Sequence, residues 1–436
     1  ECQFDGGPTL LMMLDPFRKL FADVGEEFEK HVPIELCEPC YRVFFSNGDQ
    51  VEATTDIVEM QRRIAALGAV KDAEKYPAFM AELKQLYDES IPNFVRKNYG
   101  SLGDFASPPQ LKRVLKNHML SNLAKRVEAR FEDPRVRMLF TFQTMYLGLS
   151  PFDAPWVYAT LAYMEYGEGI WYPKRGLPAI TEAIAALAQT KGAEIRLNTS
   201  VTRIEGRTLV LNTSERMSFD AIICNADMPY AQQELADEKP RKGLRYSCSA
   251  HLMYLDYKGD LEGLRHHNVI FGADFKGNLD DLFHHHKFPN DPAFYVCISK
   301  RSDESVAPEG HLNLFILVPI PNLDADHSPE NIEKLERAVF DRLKRETNFD
   351  PSNIVNQKRR SAKEWESELN LERGAAFGIS HDLFQSAFMR PQNVSKSNPN
   401  LFYVGASTVP GNGLPMVLIS AELIEQRLIS GGVISP

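Results

Sequence analysis

A cluster of small residues lies near the C-terminus of this 436-residue chain, between an apolar strand and an apolar helix. Residues 401–404 predict the strand, residues 405–413 the turn and residues 414–429 the helix. Small residues let a backbone approach a ligand closely, and a helix N-terminus presents free N–H groups and a partial positive charge. The turn could therefore hold a pyrophosphate or the pyrimidine edge of a reduced flavin. A tight turn without any ligand would show the same pattern.

The cysteines and histidines predict no metal site. Cys37 and Cys40 form a CxxC pattern, but no second CxxC and no histidine at zinc-finger spacing accompanies it. His266-His267 and His284–His286 are contiguous, and adjacent residues on a regular element do not face one site, so we expect polar surface loops there. His381, beside an aspartate, is a weak acid–base candidate, because such a residue more often makes a loop hydrogen bond.

Composition and charge disfavour several classes of function. Hydrophobic residues make up 43% of the chain and charged residues 25%, which are ordinary globular values. The net charge of −10 argues against nucleic acid as a partner, because a phosphate-binding surface needs an excess of basic residues. Six cysteines in this length favour reduced thiols inside a cell over a disulfide scaffold. No run of about 18 apolar residues occurs, so no transmembrane helix is predicted.

The predicted elements are mixed α and β, and a chain of this length requires two or more domains. Asn47-Gly48 predicts a hairpin between strands 41–45 and 51–54, and Asp56 begins the helix that follows. Other strands are predicted over 194–197, 201–211 (a hairpin), 219–224, 249–257, 293–299 and 312–319, and helices over 179–191 and 329–347. The middle of the chain therefore reads as an antiparallel sheet and its end as Rossmann-like.

Residues 110–130 predict one basic amphipathic helix. This segment carries six lysines and arginines against a single glutamate. On an acidic protein, such a helix can lie on an anionic membrane surface. An ordinary surface helix with a solvated basic face fits the sequence equally well.

Ten segments of the chain, in order, carry a family resemblance. They are FDGGPT at 4–9, residues 37–48, FTF at 140–142, MYLGLSP at 145–151, DAP at 153–155, EGIWYP at 168–173, CNAD at 224–227, GISHD at 378–382, FMRP at 388–391 and GASTVPGNGLP at 405–415. Together they resemble the phytoene desaturases of the bacterial and fungal type, which are FAD-dependent carotenoid desaturases. Several motifs in the right order over nearly the whole chain are far more specific than any one of them.

The chain departs from the family in a few places. The family usually has His where this chain has Val409, a small residue where it has Asn412, and Arg-Gly-Gly after the EGIWYP segment, where this chain has Lys174-Arg175-Gly176. The family also opens with a βαβ unit that carries GxGxxG, a pattern this chain does not contain. We expect that unit to precede Glu1 in a longer sequence, the alternative being a paralogue that lost its dinucleotide site. The C-terminal half of the flavin site alone is not expected to hold FAD tightly.

The resemblance implies FAD as the cofactor. Eight residues of the C-terminal turn are implied to lie along the ribityl chain or to cap the flavin ring, namely Gly405, Ala406, Ser407, Gly411, Gly413, Leu414, Met416 and Val417. Val201 matches a position whose backbone usually meets the adenine. A core valine in a strand fits the sequence there equally well.

Desaturation transfers a hydride to the flavin and removes a proton from the neighbouring carbon, so a proton acceptor near the substrate is useful. The Asp and Arg that have been proposed as active-site groups in this family fall on Asp133 and Arg137. They are four residues apart and could share a helix face. A salt bridge that only steadies the helix is the slightly better interpretation, and the polyene cation could also lose its proton without a dedicated base.

The resemblance implies an α/β fold in which discontinuous segments form an FAD-binding Rossmann-like domain beside a substrate domain with a mixed sheet and helices. We assign residues 1–30, 165–240 and 370–436 to FAD binding, and residues 31–164 and 241–369 to substrate binding and membrane association. The implied function is FAD-dependent desaturation of phytoene or a related carotenoid by an intracellular, peripheral membrane protein. The alternatives are a polyene saturase or isomerase of the same superfamily, or a truncated fragment that cannot hold FAD. The sequence does not predict the oligomeric state.

Overall fold

The computed structural model describes residues 1–99, 103 and 106–435. The strands are β1 (Ile34–Leu36), β2 (Tyr41–Phe44), β3 (Gln50–Ala53), β4 (Trp171–Pro173), β5 (Val201–Glu205), β6 (Thr208–Leu211), β7 (Arg216–Ser218), β8 (Ile222–Cys224), β9 (Ser249–Lys258), β10 (His267–Ile270), β11 (Phe294–Ile298), β12 (His311–Ile320), β13 (Ile354–Arg360) and β14 (Leu401–Tyr403). The helices are α1 (Asp15–Asp23), α2 (Phe28–His31), α3 (Ile57–Ala66), α4 (Val70–Ser90), α5 (Pro108–Lys116), α6 (Leu123–Arg130), α7 (Pro134–Leu139), α8 (Thr160–Tyr163), α9 (Pro178–Thr190), α10 (Met228–Tyr230), α11 (Phe275–Phe283), α12 (Pro329–Glu346), α13 (Ala362–Leu369) and α14 (Leu414–Ser430).

A mixed seven-stranded sheet forms part of the wall of the cavity that is described in the next section. Its strand order is β13-β9-β12-β11-β10-β2-β3. Neighbouring strands are antiparallel except β10 and β2, which are parallel. The central strands β9 and β12 are buried along most of their length, because helices and loops cover both faces of the sheet. The predicted mixed α and β fold is confirmed.

The first hairpin and the helix after it are confirmed. β2 and β3 pair antiparallel around Asn47-Gly48, where Gly48 has a φ of 90° that the tight turn requires. Asp56 then caps α3 by accepting hydrogen bonds from the backbone N–H groups of Val58 and Glu59, both at 2.9 Å.

Two predicted elements were wrong. Residues 110–130 form two helices, because α5 ends at Lys116, His118 takes a left-handed φ of 51°, and Asn122 caps α6 by accepting from Lys125 N at 2.9 Å. Residues 194–197 form no strand. Their side chains are exposed, Leu197 to 79%, so burial against a neighbouring strand does not stabilise an extended conformation there.

A second, two-stranded sheet positions the C-terminal turn. β14 pairs parallel with β8, and the chain leaves β14 into residues 404–413 before α14 begins.

Among the described residues, none of the helices combines the length and apolar character needed to cross a bilayer.

Candidate active site

A cavity of about 1140 Å³ lies between the large sheet, the helices on one of its faces and the C-terminal turn. Its walls are mostly apolar and aromatic. They come from residues 5–12 near the N-terminus, 90–99 after α4, 142–164, the sheet strands and the turn at 406–417. The polar side chains on the wall include Asp5, Thr9, Tyr146, His381 and Asn412. Tertiary structure thus brings the FDGGPT segment and the C-terminal turn, which lie at opposite ends of the sequence, to one space.

Most of the sequence-predicted cofactor residues face this cavity. Its described wall includes Ala406, Gly411, Gly413, Leu414, Met416 and Val417. Gly405 and Ser407 lie behind the wall, where the Ser407 hydroxyl donates a hydrogen bond to the Asp227 carboxylate. Val201 lies in β5, pairs with Leu211 and is outside the described wall, so its contact with an adenine stays a prediction.

At its glycines, the turn presents backbone rather than side chains to the cavity. Gly413 is the N-cap of α14, with a φ of 107° and, among the described residues, no side-chain hydrogen bond to the cap. Since residues 413–417 line the cavity, the free N–H groups and partial positive charge of this helix end lie beside it. Such a helix end stabilises an electron-rich or anionic group.

Gly411 is the most tightly constrained residue of the turn. Its φ of 146° is one that residues with a side chain rarely adopt. An added Cβ would also lie 2.3 Å from His381 Nε2. His381 is buried and accepts a hydrogen bond from Asn412 N at 3.3 Å. Burial, together with nearby Arg390, holds the pKa of His381 well below its usual range, so the ring is neutral. His381 therefore supports the turn as an uncharged acceptor.

We expect Gly411→Ala to lose most of its bound flavin. The new methyl group must displace either the turn or His381, and both line the cavity. The measurement is the flavin absorbance per chain after purification with added FAD. Gly206→Ala is the matched control: Gly206 also has a positive φ, of 60°, but an added Cβ there meets no atom within 4 Å. Equal flavin content in the two variants would contradict this role of Gly411.

Arg390 supports the same turn from behind. Its side chain is 1% exposed. Its Nε donates to Thr408 O at 2.9 Å and its Nη2 donates to Ala406 O at 2.6 Å. Longer hydrogen bonds reach the carbonyls of Ile379, Ser380 and Gln385. Burial lowers the pKa of Arg390 to about 10, which leaves the guanidinium charged at neutral pH. One cation therefore connects the GISHD, FMRP and GASTVPGNGLP segments.

A buried carboxyl group lies next to the cavity wall. Glu165 is fully buried, and its Oε2 accepts from Gln143 Nε2 at 2.9 Å and from the Tyr41 hydroxyl at 3.0 Å. Its Oε1 has no aligned donor within the described part of the chain. The side chain of Tyr146, a cavity-wall residue, lies close to this carboxyl group without an aligned hydrogen bond to it. Burial raises the pKa of Glu165 to about 7, so near neutral pH the group can either accept or hold a proton.

Asp133 and Arg137 lie elsewhere. Asp133 caps α7 by accepting from Arg135 N at 2.8 Å, and it pairs with the Arg135 guanidinium. Arg137 donates to Phe131 O at 2.8 Å and pairs with Glu128 at 3.4 Å. Neither belongs to the described cavity wall. Their catalytic role stays a prediction that this geometry does not support, and the salt bridge between them that we favoured is replaced by these other partners.

The prediction for His266-His267 was wrong, because both rings are buried. Their exposed fractions are 6% and 0%, and their centroids lie 4.1 Å apart. Burial lowers the pKa of His266 to about 3 and also holds the pKa of His267 well below its usual range, so both rings are neutral. Side chains of His284 and His285, by contrast, are about half exposed.

Sequence reasoning missed Glu165 and gave too little weight to His381 and Arg390. Glu165 carried no signal, because its neighbours in space come from residues 41 and 143–146, far away in sequence. Arg390 lay inside the recognised FMRP segment, and an arginine between apolar residues and a proline was the only available hint. Burial is what distinguishes these residues, and a single sequence does not report it.

Comparison with known families gives a consistent picture. The family model for flavin-containing amine oxidoreductases matches residues 7–423. A zeta-carotene-forming phytoene desaturase of Myxococcus xanthus is 39% identical over 98% of this chain and 85% of that protein. A phytoene desaturase of Neurospora crassa is 30% identical over 98% of this chain and 76% of that protein.

Solved structures share the fold. Cyclohexylamine oxidase from Brevibacterium oxydans superposes with a TM-score of 0.56 at 12% identity, over 97% of this chain and 88% of that one. At this level of identity the likeness concerns the fold alone.

Proposed function

This chain belongs to the flavin-containing amine oxidoreductase family and, within it, to the phytoene desaturases, and from that premise we propose that it desaturates phytoene or a related carotenoid with FAD as its cofactor. The observation that carries this proposal is the cavity of about 1140 Å³, whose mostly apolar walls end at the glycine-rich N-terminus of α14. An apolar polyene and the flavin ring would meet at that end. Pockets for small molecules commonly combine apolar walls with a few convergent polar groups.

The residues present fit the ring part of FAD. Gly411 and Gly413 carry no side chains at these two positions of the turn, and the space that a Cβ of Gly411 would enter is already filled by His381. Ala406, Leu414, Met416 and Val417 complete a surface that a flat ring can lie against. Gly405 and Ser407 would act one layer behind, by fixing the backbone of the turn through Ser420 and Asp227.

Bound FAD supplies the acceptor for the hydride that leaves one carbon of the substrate. The neighbouring carbon must then lose a proton. Tyr146 lines the cavity and its side chain lies close to Glu165, so its hydroxyl can take this proton while its own proton passes to the carboxylate. Both C–H bonds are thereby broken, and the negative charge of Glu165 is neutralised. The apolar wall keeps water away from the cation that exists between the two steps.

Two of the sheets support the proposed division into an FAD-binding part (residues 1–30, 165–240 and 370–436) and a substrate part (residues 31–164 and 241–369), whereas the small sheet of β1 and β4 joins the two parts. All seven strands of the large sheet fall in the substrate part. The parallel pair β8 and β14 falls in the FAD-binding part. Both parts supply the cavity wall.

Product analysis tests the function. The protein, purified with FAD, is incubated with phytoene in lipid vesicles, and the extracted carotenoids are separated and identified by their absorption spectra. We expect products with a longer conjugated system, which absorb at longer wavelength than phytoene. A product with fewer double bonds, or an isomer with the same number, would instead support the saturase or isomerase. Unchanged phytoene together with stoichiometric bound FAD would contradict the proposed substrate.

We also propose a membrane surface as a partner, through α5. Leu111 and Leu115 on this helix are 44% and 74% exposed, beside Lys112 and Lys116. Gln110, on the buried face, donates to Asn93 O at 2.8 Å, which connects α5 to the segment after α4 that lines the cavity. An apolar substrate stored in the bilayer would then lie close to the cavity wall. Exposed leucines flanked by lysines are typical of helices that lie in an anionic interface.

The double variant Leu111→Asp/Leu115→Asp is expected to bind anionic vesicles at least ~10-fold more weakly, because burying each leucine contributes about 1.5–3 kcal/mol and aspartate adds repulsion. Sedimentation with vesicles of phosphatidylserine and phosphatidylcholine measures this. Val58→Asp, at another exposed apolar helix position (74% exposed), is the control and should bind like the unmodified protein. An equal loss of vesicle binding in the double variant and in Val58→Asp would mean that α5 is not the membrane contact.

A further inference from the structure

Behind the cavity wall, three side chains of types that bind metals meet at one point. One ligand atom each from Cys37, His266 and His267 lies within 4.8 Å of the other two. All three residues are buried: their exposed fractions are 4%, 6% and 0%. Cys37 is a free thiol. The proposed desaturation uses none of them, so their arrangement needs a separate explanation.

The two histidines reach the same point because only one of them belongs to a strand. β10 begins at His267, so His266 is not subject to the alternation that sends consecutive strand residues to opposite faces. Cys37 directly follows β1 and lies beside the His266 ring: its Sγ is 4.0 Å from Nδ1, the ring nitrogen that also contacts the Ser302 hydroxyl. Two separate pieces of chain therefore bring a sulfur atom and two imidazole rings together.

Each imidazole uses one nitrogen and leaves the other without a partner. His266 Nδ1 lies 2.7 Å from the Ser302 hydroxyl, and His267 Nδ1 lies 2.6 Å from the Tyr295 hydroxyl. The Nε2 atoms of both rings are buried and have no hydrogen-bond partner among the described residues. An unsatisfied buried polar atom destabilises the folded protein, and here there are two. Histidines that bind metals usually donate the other ring N–H to a neighbouring oxygen, as Nδ1 can do in both rings.

We propose that Cys37, His266 and His267 bind one Zn²⁺ ion. One thiolate and two neutral imidazoles are a ligand set that zinc accepts, with the fourth position taken by water. The Cys37 thiol loses its proton to solvent as the Zn–S bond forms, so one proton is released for each ion bound. Tyr295 connects His267 to Thr9, because its hydroxyl also lies 2.9 Å from the Thr9 hydroxyl. Tyr295 and Thr9 both line the cavity. The ion would therefore stiffen the cavity wall at the FDGGPT segment without taking part in the reaction.

Metal analysis of the FAD-loaded protein tests the proposal. Protein purified without chelators is expected to carry one zinc per chain. After exchange with Co²⁺, the difference spectrum is expected to show the charge-transfer band of a thiolate–cobalt bond in the near ultraviolet. Cys37→Ser should lose this band and bind zinc at least ~10-fold more weakly. Cys224→Ser, a change at another buried cysteine, should keep both the band and the zinc.

Two results would overturn the zinc site. One is an unmodified protein that takes up no stoichiometric zinc and shows no thiolate–cobalt band. The other is a band that survives in Cys37→Ser. The spectrum of the unmodified protein reports the thiolate directly, so the test still decides if Cys37→Ser fails to fold.

Discussion

Replacing Glu165 with glutamine is expected to lower kcat for carotenoid desaturation by ~10²-fold or more, the range that a lost general base produces. Glutamine keeps the size of the side chain and can still accept from Gln143 or Tyr41, but it cannot take up a proton. Tyr146→Phe should have a similar effect, because it removes the hydroxyl through which the proton passes. The measurement is the single-turnover rate of product formation with FAD bound and phytoene saturating.

The pH dependence gives this prediction a second readout. Burial raises the pKa of Glu165 to about 7, so below that pH the carboxyl group already holds a proton and cannot accept another. The rate for the unmodified protein should therefore rise as the pH increases through about 7, and the residual rate of Glu165→Gln should not change over the same window. Since Asp133 is the other candidate base, Asp133→Asn is the comparison. A large loss in Asp133→Asn with normal activity in Glu165→Gln would assign the base to Asp133.

As the pH rises through about 7, the contribution of Glu165 to the free energy of unfolding should fall, whereas the activity should rise. A raised pKa means that the folded protein holds this proton more tightly than the unfolded chain, whose carboxyl has its usual pKa of 4.5. The resulting stabilisation is fully present below pH 4.5 and is lost as the pH rises through about 7. Glutamine does not ionise, so Glu165→Gln should unfold at the same or a higher urea concentration than the unmodified protein at alkaline pH. An inactive variant of undiminished stability would separate catalysis from folding.

Arg390→Met is expected to lower the free energy of unfolding by about 3 kcal/mol or more and to abolish flavin binding. The substitution removes the donors to Thr408 O and Ala406 O and leaves these carbonyls unpaired in a dry part of the protein. The C-terminal turn then loses these two hydrogen bonds on the side away from the cavity. Urea unfolding, and the flavin absorbance per chain of the purified protein, measure the two effects.

Arg427→Met is the matched control for this variant. Arg427 lies in the last turn of α14, is partly buried, and donates to Asn393 Oδ1 at 2.6 Å. Losing this one contact should cost about 1 kcal/mol and leave the flavin site intact. Arg390→Lys keeps the charge but not the planar fork of donors, so it should fall between the two. If Arg390→Met is no less stable than Arg427→Met and keeps its FAD, the turn does not depend on Arg390.

Local patterns in the sequence were sufficient wherever the structure follows from neighbouring residues. Asn47-Gly48 predicted the first hairpin, and the small residues at 405–413 predicted a turn that leads into α14. The motif series predicted the family, FAD and the carotenoid class of substrate. The pattern failed at residues 110–130, where Asn122 begins a new helix inside a continuous amphipathic stretch.

The sequence by itself therefore determined the family, the mixed α/β fold and the turn to which we assign the flavin, because these depend on short motifs and on the spacing of apolar residues. Only the tertiary structure decided which polar groups are buried and what they contact. Glu165 is next to the cavity because residues 41, 143 and 146 converge on it. His266 and His267 are neighbours of Cys37 because β10 lies inside the sheet and His266 lies just outside the strand. Burial and long-range proximity set the pKa of a carboxyl group and the partners of an imidazole, and neither quantity is encoded in the residues next to it.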